Sequence, residues 1–432
     1  MSADEAISGA SSQAGFSTKL LGAAGLGLGL GLIGICYGWS TGEKGPFLGW
    51  LWGLSFWLSI GIGMLMLTLL FRVFNSQWTP IVRRQLEHCL AAFPYLACCF
   101  TPLLVVVWFG GDQDGILWHW VNPDNEIPGG HTVEHDVLHQ KKSGYLSVLF
   151  FSIRSIGYFA LFCGLSHWMR KVSFSQDRDG ESNWTRLGHN IAAGGVPALA
   201  LCLTFAAFDW FMSLEYQWFS TMYGVWFFAG SMRAALATTI ILCFYLSTRG
   251  DLRGLYNRAH QYDLACLSLA FTVFWAYISF SQYFLIYNAN IPEETFWYII
   301  REINPNTGEK SGWWLVGLAL VFGHFFFSFL YLLFYKNKVD PPRILFIVAW
   351  ILAFHLLDLY WNIIPGRDVN PEAVAGFDAR AVLGDHLIWG IASLIGIGGL
   401  CGWAILKSYR ESDCEIIPVR DPRIKDSINY HE

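Results

Sequence analysis

About ten long apolar runs, each closed by a short polar or basic stretch, make up most of this chain. They cover residues 19–39, 47–71, 90–109 and 145–168, a fifth run from near 189, a sixth from near 218, then 264–288, 313–335, 344–364 and 383–406. Runs of about 20 apolar residues are long enough to cross a hydrocarbon core as helices. The pattern predicts an all-α polytopic membrane protein. Its tightest punctuation is at residues 209–237, DWFMSLEYQWFSTMYGVWFFAGSMRAALA. There Asp209 ends one run, Glu215 marks a turn, and the next run continues past Arg233. Such a stretch reads as a transmembrane hairpin. Pro94 and Pro102 fall inside the third run, where membrane helices accept prolines as kinks. The glycines of GAAGLGLGLGLIG in the first run have neither the preceding strand nor the soluble helix of a dinucleotide site. The pairs Gly25/Gly29 and Gly27/Gly31 instead suit close helix packing. Residues 1–18 read as a small, polar tail, disordered or docked on a partner, and 407–432 as a second polar tail.

Composition sharpens this picture. The chain is 54% hydrophobic and 14% charged, against roughly 25% charged in soluble domains. Its 21 Trp and 34 Phe suit aromatic belts at both membrane interfaces. A net charge of −5 gives no reason to expect nucleic acid. The 10 cysteines form no CxxC, CxxCH or zinc-type spacing, so neither c-type haem, structural zinc nor a cysteine-held iron–sulfur cluster is expected in this chain. Basic loop residues fall mainly on one face, among them Arg72, Arg83, Arg84, Arg170, Lys171, Arg249, Lys336 and Lys407. The other face holds Lys44, Lys141, Lys142, Arg301, Lys310, Arg367 and Arg380. By the positive-inside rule the first face, with both termini, is expected to be cytoplasmic. The longer, more acidic loops starting at 110, 289 and 365 then face outward and look built to hold a peripheral partner.

Candidate chemistry is confined to a few ionisable residues deep in apolar runs. Arg233 lies near mid-membrane by helical rise, where an unpartnered charge costs at least ~2.5 kcal/mol. His324 and His355 reach similar depth from opposite faces, and Asp358 follows His355 by three, on the same helix face. Three readings are open: a bis-histidine haem b, a buried structural hydrogen-bond cluster, or a proton-conducting cluster using histidine's titration near neutral pH. The cheapest arrangement sets Asp358 as a carboxylate against Arg233, with the histidines bonded nearby. Arg154 and Asp209 suggest a second cluster. They could pair, or Arg154 could bond backbone carbonyls while Asp209 sits at the lipid edge. His131, His135 and His139 in GGHTVEHDVLHQKK lack the HExxH arrangement and read as a solvated turn or a subunit contact.

Three stretches carry a resemblance: the 209–237 segment, FTVFWAYISFSQYFLIYNANIPEETFWYIIR, and HLLDLYWNIIPG. Together they resemble the ActF-type integral subunit of alternative complex III, a bacterial quinol:electron-acceptor oxidoreductase, within the integral-membrane family of polysulfide-reductase (NrfD-like) type. The resemblance spans roughly residues 45–406. It implies two four-helix bundles, here 46–213 and 214–364, flanked by the first helix (19–39) and the tenth (383–406). It implies a respiratory-chain complex in the bacterial inner membrane, handing electrons to an acceptor such as cytochrome c. This chain would hold no redox cofactor and perform no chemistry alone. Haem c and iron–sulfur clusters would sit on a multihaem cytochrome c and an iron–sulfur protein, and menaquinol or ubiquinol on a sister integral subunit. A terminal oxidase is a further partner of such complexes, and membrane lipid surrounds them. The implied role is in proton translocation, for which Arg233, His324, His355, Asp358, Arg154 and Asp209 are the path candidates. Two alternatives stand beside it: a quinol-binding integral subunit of an iron–sulfur molybdoenzyme, and a secondary transporter. The transporter would favour paired broken helices in matching halves, and no convincing pair is visible.

Overall fold

In lipid every backbone polar group must be satisfied within the chain, so apolar runs of this length close into helices. The computed structural model describes residues 3–109, 117–127, 130–303, 308–368, 378–379, 382–412 and 414–431. Ten helices in it are long and apolar enough to cross a membrane. They are α1 (Ser17–Thr41), α2 (Gly45–Val73), α3 (Pro80–Phe109), α4 (Val148–Asp179), α5 (Ser182–Glu215), α6 (Tyr223–Arg249), α7 (Arg258–Ala289), α8 (Gly312–Leu333), α9 (Pro341–Ile363) and α10 (His386–Glu411). The protein is an all-helical polytopic membrane protein. Its strand content among the described residues is two antiparallel ribbons, Glu126–Ile127 with His131–Thr132 and Arg367–Asp368 with Asp378–Ala379. Arg380 lies outside the described residues.

Several boundaries lie beyond the apolar runs; α4, for one, continues to Asp179 and α5 begins at Ser182. The first helix is continuous from Ala3 to Thr41, so the expected tail to residue 18 is helical; no proline interrupts it. α10 extends through Glu411 into the expected polar tail. α3 begins at Pro80 and not near 90. Its first turns, PIVRRQLEHC, are too charged for a hydropathy reading, yet every residue in them is buried.

The core is organised on α2, whose side chains are buried almost without a break from Pro46 to Arg72. A helix apolar all round belongs inside its protein, and α2 packs against α6, α5, α10, α9 and α1. α6 is the second central helix and packs on α2, α7, α5 and α9. The two cross at Gly63, where an added Cβ would lie 2.2 Å from the Ser231 carbonyl oxygen. Only a residue without a side chain lets the backbones approach this closely. α1 and α10 pack on each other through Gly27 and Gly396, in direct backbone contact. Gly25 and Gly29 meet nothing within 4 Å, so of the two pairs seen in the sequence, only Gly27 and Gly31 pack inward.

At the basic face, where α10 ends, the charged start of α3 meets the chain's C-terminal segment. Glu87 accepts from Arg72 Nη2 at 3.0 Å and from Arg83 Nε at 3.1 Å. Arg84 Nη2 reaches Asp177 at 2.5 Å, and Arg83 Nη2 reaches Asp421 at 2.6 Å. Burial alone would raise the pKa of Asp421, but the Arg83 charge and hydrogen bond more than reverse this and hold it well below the usual carboxylate range. The segment continues through Arg423 on Asn75, Ser427 on the Trp78 carbonyl and Tyr430 on Asp263 at the start of α7. It forms a strap from α3 to α7. On the opposite face the helix Pro292–Glu302 lies across the end of α9. Its Arg301 donates to the carbonyls of Trp361, Asn362 and Pro365, which α9's last turn leaves without helical partners.

Candidate functional site

The structure brings Arg233, His324, His355 and Asp358 into one region of α6, α8 and α9, all of them 0–2% exposed. Arg233 bonds one neighbour through both terminal nitrogens. Its Nη1 donates to His324 Nε2 at 2.6 Å and its Nη2 to the His324 carbonyl at 3.0 Å. His324 lies in Leu320–Phe327 of α8, which is wound as a π-helix. Such segments are rare and concentrate at functional sites. Arginine can only donate, so Nε2 of His324 accepts, and the neutral ring carries its hydrogen on Nδ1. His324 Nδ1 has no partner and is buried.

His355 belongs to a different contact. The hydroxyl of Ser59 on α2 donates to the Phe56 carbonyl at 2.8 Å, so its oxygen accepts from His355 Nε2, also at 2.8 Å. This assigns the hydrogen to Nε2 and leaves Nδ1 as a bare acceptor, buried and unpartnered. Gly230 makes room beside it, since a Cβ there would lie 3.0 Å from His355 Cε1 and 3.2 Å from Nδ1. The two histidines therefore present one unmet donor and one unmet acceptor, with Arg233 Nε and Ser231 Oγ also unmet. Buried polar atoms in such numbers are ordinarily satisfied by internal water. Both Nε2 atoms already serve protein partners, so bis-histidine ligation through them would break both contacts.

The expected ion pair between Asp358 and Arg233 does not form. Asp358 Oδ2 accepts from the indoles of Trp226 at 3.1 Å and Trp275 at 2.9 Å. Its Oδ1 accepts from Asn362 at 3.2 Å. The physical reason is Trp275. Its ring packs edge-on against His324 at 4.3 Å and lies 5.6 Å from the Arg233 guanidinium. It occupies the place where carboxylate and guanidinium would meet, and three neutral N–H donors hold the carboxylate instead.

Arg154 and Asp209 do pair, which the sequence left open. Arg154 Nε and Nη2 donate to the two Asp209 oxygens at 2.7 and 2.9 Å, and Tyr158 adds a third bond at 2.7 Å. Arg154 also donates to the Tyr145 carbonyl and lies over the Tyr145 ring at 3.7 Å. This group joins α4 and α5. Fork-to-fork geometry of this kind is the strongest ion-pair arrangement. His135 bonds Thr132, and no group of three or more His, Cys, Asp or Glu among the described residues could hold a metal ion. His386, the first residue of α10, is buried and bonded to Tyr360 at 2.6 Å.

Sequence reasoning missed the supporting donors. Asn362 follows Asp358 by four residues, a visible helical spacing. Glu87 follows Arg83 by four, a signal masked by the charge of the segment. Ser59, Trp226 and Trp275 gave none, because polar contacts between helices leave no periodic trace. No family model matches the chain, and no curated protein matches it significantly.

Proposed function

We propose that this chain is the integral, cofactor-free subunit of a respiratory quinol:electron-acceptor oxidoreductase of alternative complex III type, and that its second half, α6–α9, handles protons. In this reading α2–α5 and α6–α9 are two four-helix bundles, the basic face is cytoplasmic, the multihaem and iron–sulfur subunits sit against the opposite face, and the sister integral subunit lies beside this chain in the membrane. The complex assignment rests on the resemblance, and one observation carries the proton-handling part. Asp358 is a buried carboxylate held only by neutral N–H donors, beside histidines whose Nδ1 atoms lack partners. A buried acid used only as structure is normally matched by a cation. A carboxylate without one, next to unmet donors and acceptors that call for water, suits a group that gains and loses a proton.

The test is Asp358→Asn in the complex purified through a tag on this chain. The complex should retain its subunits and its quinol oxidation while the proton-to-electron ratio in liposomes falls. Normal yield with an unchanged ratio removes the relay, and a collapsed yield assigns Asp358 to structure alone. Recovery of this chain as a stable protein without haem-bearing partners sinks the complex-subunit reading.

A further inference from the structure

Lysine is among the residues least often buried, and a buried ammonium ordinarily faces a carboxylate. Lys338, in the short helix Tyr335–Val339 between α8 and α9, is 6% exposed and has no carboxylate partner among the described residues. Lys336, two residues earlier in the same turn, is exposed and shows the ordinary alternative. Two contacts draw Lys338 onto the first turns of α7. Its backbone carbonyl accepts from Gln261 Nε2 at 2.8 Å, and its ammonium lies 4.5 Å over the Tyr262 ring. There Nζ donates to a single atom, Cys266 Sγ, at 3.4 Å.

A protonated thiol is a weak acceptor for such a donor. A desolvated ammonium gains far more from a thiolate, which supplies the missing opposite charge. A partly exposed sulfur beside a lysine is also the setting in which cysteines become reactive. Cys266 is partly exposed, whereas Cys89, Cys243 and Cys401 are buried in the apolar core. The pair lies on the basic face, where α7 begins and α8 ends. Its separation of 3.4 Å is already that of two atoms poised to react.

We propose that Cys266 and Lys338 form an oxidation-driven covalent site, in which a hydroperoxide oxidises the sulfur and the lysine nitrogen then closes on it as an Nζ–Sγ sulfenamide. In the first step the thiolate attacks the peroxide. The S–O bond forms, the O–O bond breaks, and the Lys338 ammonium protonates the departing hydroxide to water. Sulfur is oxidised to the sulfenic acid, and the peroxide is reduced. In the second step the neutral amine attacks that sulfur. The N–S bond forms, the S–O bond breaks, and the hydroxyl leaves with an amine proton as a second water. Sulfenic acids condense with nearby nitrogen nucleophiles in this way. The link joins positions 72 residues apart and ties α7 to the turn between α8 and α9. Trp275, His324 and Asp358 stand on those three helices, so the link sets how freely the basic-face ends of the helices around them move. The site does not rest on the proton-handling reading.

The experiment treats membranes holding the full chain with hydrogen peroxide and maps peptides by mass spectrometry, with and without dithiothreitol. The wild type should yield a peptide pair joined at Cys266 and Lys338, lighter than the two peptides together by two hydrogens. The pair should be absent before peroxide and should return to free thiol with dithiothreitol, which cleaves the S–N bond. Lys338→Arg keeps a cation at the sulfur but offers no nitrogen that can lose its proton. It should give no joined pair, and sulfinic acid at Cys266 should rise about fivefold over wild type, because nothing captures the sulfenic acid before it oxidises further. Cys266→Ser should lose both products. Peroxide that leaves Cys266 a free thiol, or that drives it to sulfinic acid equally in wild type and Lys338→Arg, overturns the proposal. Where Lys338→Arg lowers the melting temperature, the presence or absence of the joined pair in the wild type decides alone.

Discussion

Gly230 has no side chain where the His355 ring needs the space. Its replacement by Ala places a methyl 3.0 Å from His355 Cε1, so the ring must shift and the bond to Ser59 weakens. Overpacking of this kind costs about 1–3 kcal/mol. Thermal unfolding in detergent should show that loss for Gly230→Ala and its relief by Gly230→Ala combined with His355→Ala. The Arg154–Asp209 fork makes a second residue-scale case. Asp209→Ala strands a mostly buried guanidinium at a cost of about 3–5 kcal/mol, whereas Arg154→Met with Asp209→Leu removes both charges and should cost less. A double-mutant cycle on melting temperature reads the difference, and equal losses in all three variants would mean that the pair is uncoupled. Depth was legible for these residues, because helical rise converts position in a run directly into height. Facing was not. In water the buried side of a helix is its apolar side, but in lipid both sides are apolar, so periodicity does not say where Arg233 or Asp358 points. The sequence therefore gathered the right group and paired it wrongly.

At the scale of the helix, length and apolarity found all ten spans, and composition could say little about how they meet. The exception was glycine. It announced close contacts without saying which glycines make them, and the structure separates two kinds. At Gly63 even one methyl collides with the α6 backbone, so Gly63→Ala should part α2 from α6 and lower the melting temperature sharply. Gly29 faces open space, so Gly29→Ala should be neutral or stabilising by up to ~1 kcal/mol through helix propensity. Size-exclusion thermostability of the two variants checks both, and similar behaviour would deny that the α2–α6 crossing holds the fold. α3 shows the opposite failure. Its opening turns looked like a loop because their charges were counted as solvated, whereas Arg72, Arg83, Arg84, Glu87, Asp177 and Asp421 satisfy one another inside the protein. These six residues come from four segments of the chain, and no local window contains that information.

The whole molecule is closed by the strap over the basic face. Because the folded-state pKa of Asp421 lies below its unfolded value, its contribution to stability is fully present above the ordinary carboxylate range and is lost as pH falls through the folded value. Protease resistance of residues 412–431 should therefore be level between about pH 5 and 8 and fall only in stronger acid. Asp421→Asn should abolish that resistance at neutral pH. A strap that loosens near pH 6 would point away from Asp421. The strap also has a consequence in time. Arg83 and Asp421 are 338 residues apart, which at about 5–20 residues per second separates their synthesis by roughly 20–70 seconds. Throughout that interval the nascent chain holds the α3 arginines without the acid that completes their neutralisation, and α1 waits for α10. Until residue 421 has been made, the nascent chain has most of its spans in the membrane and its lock open.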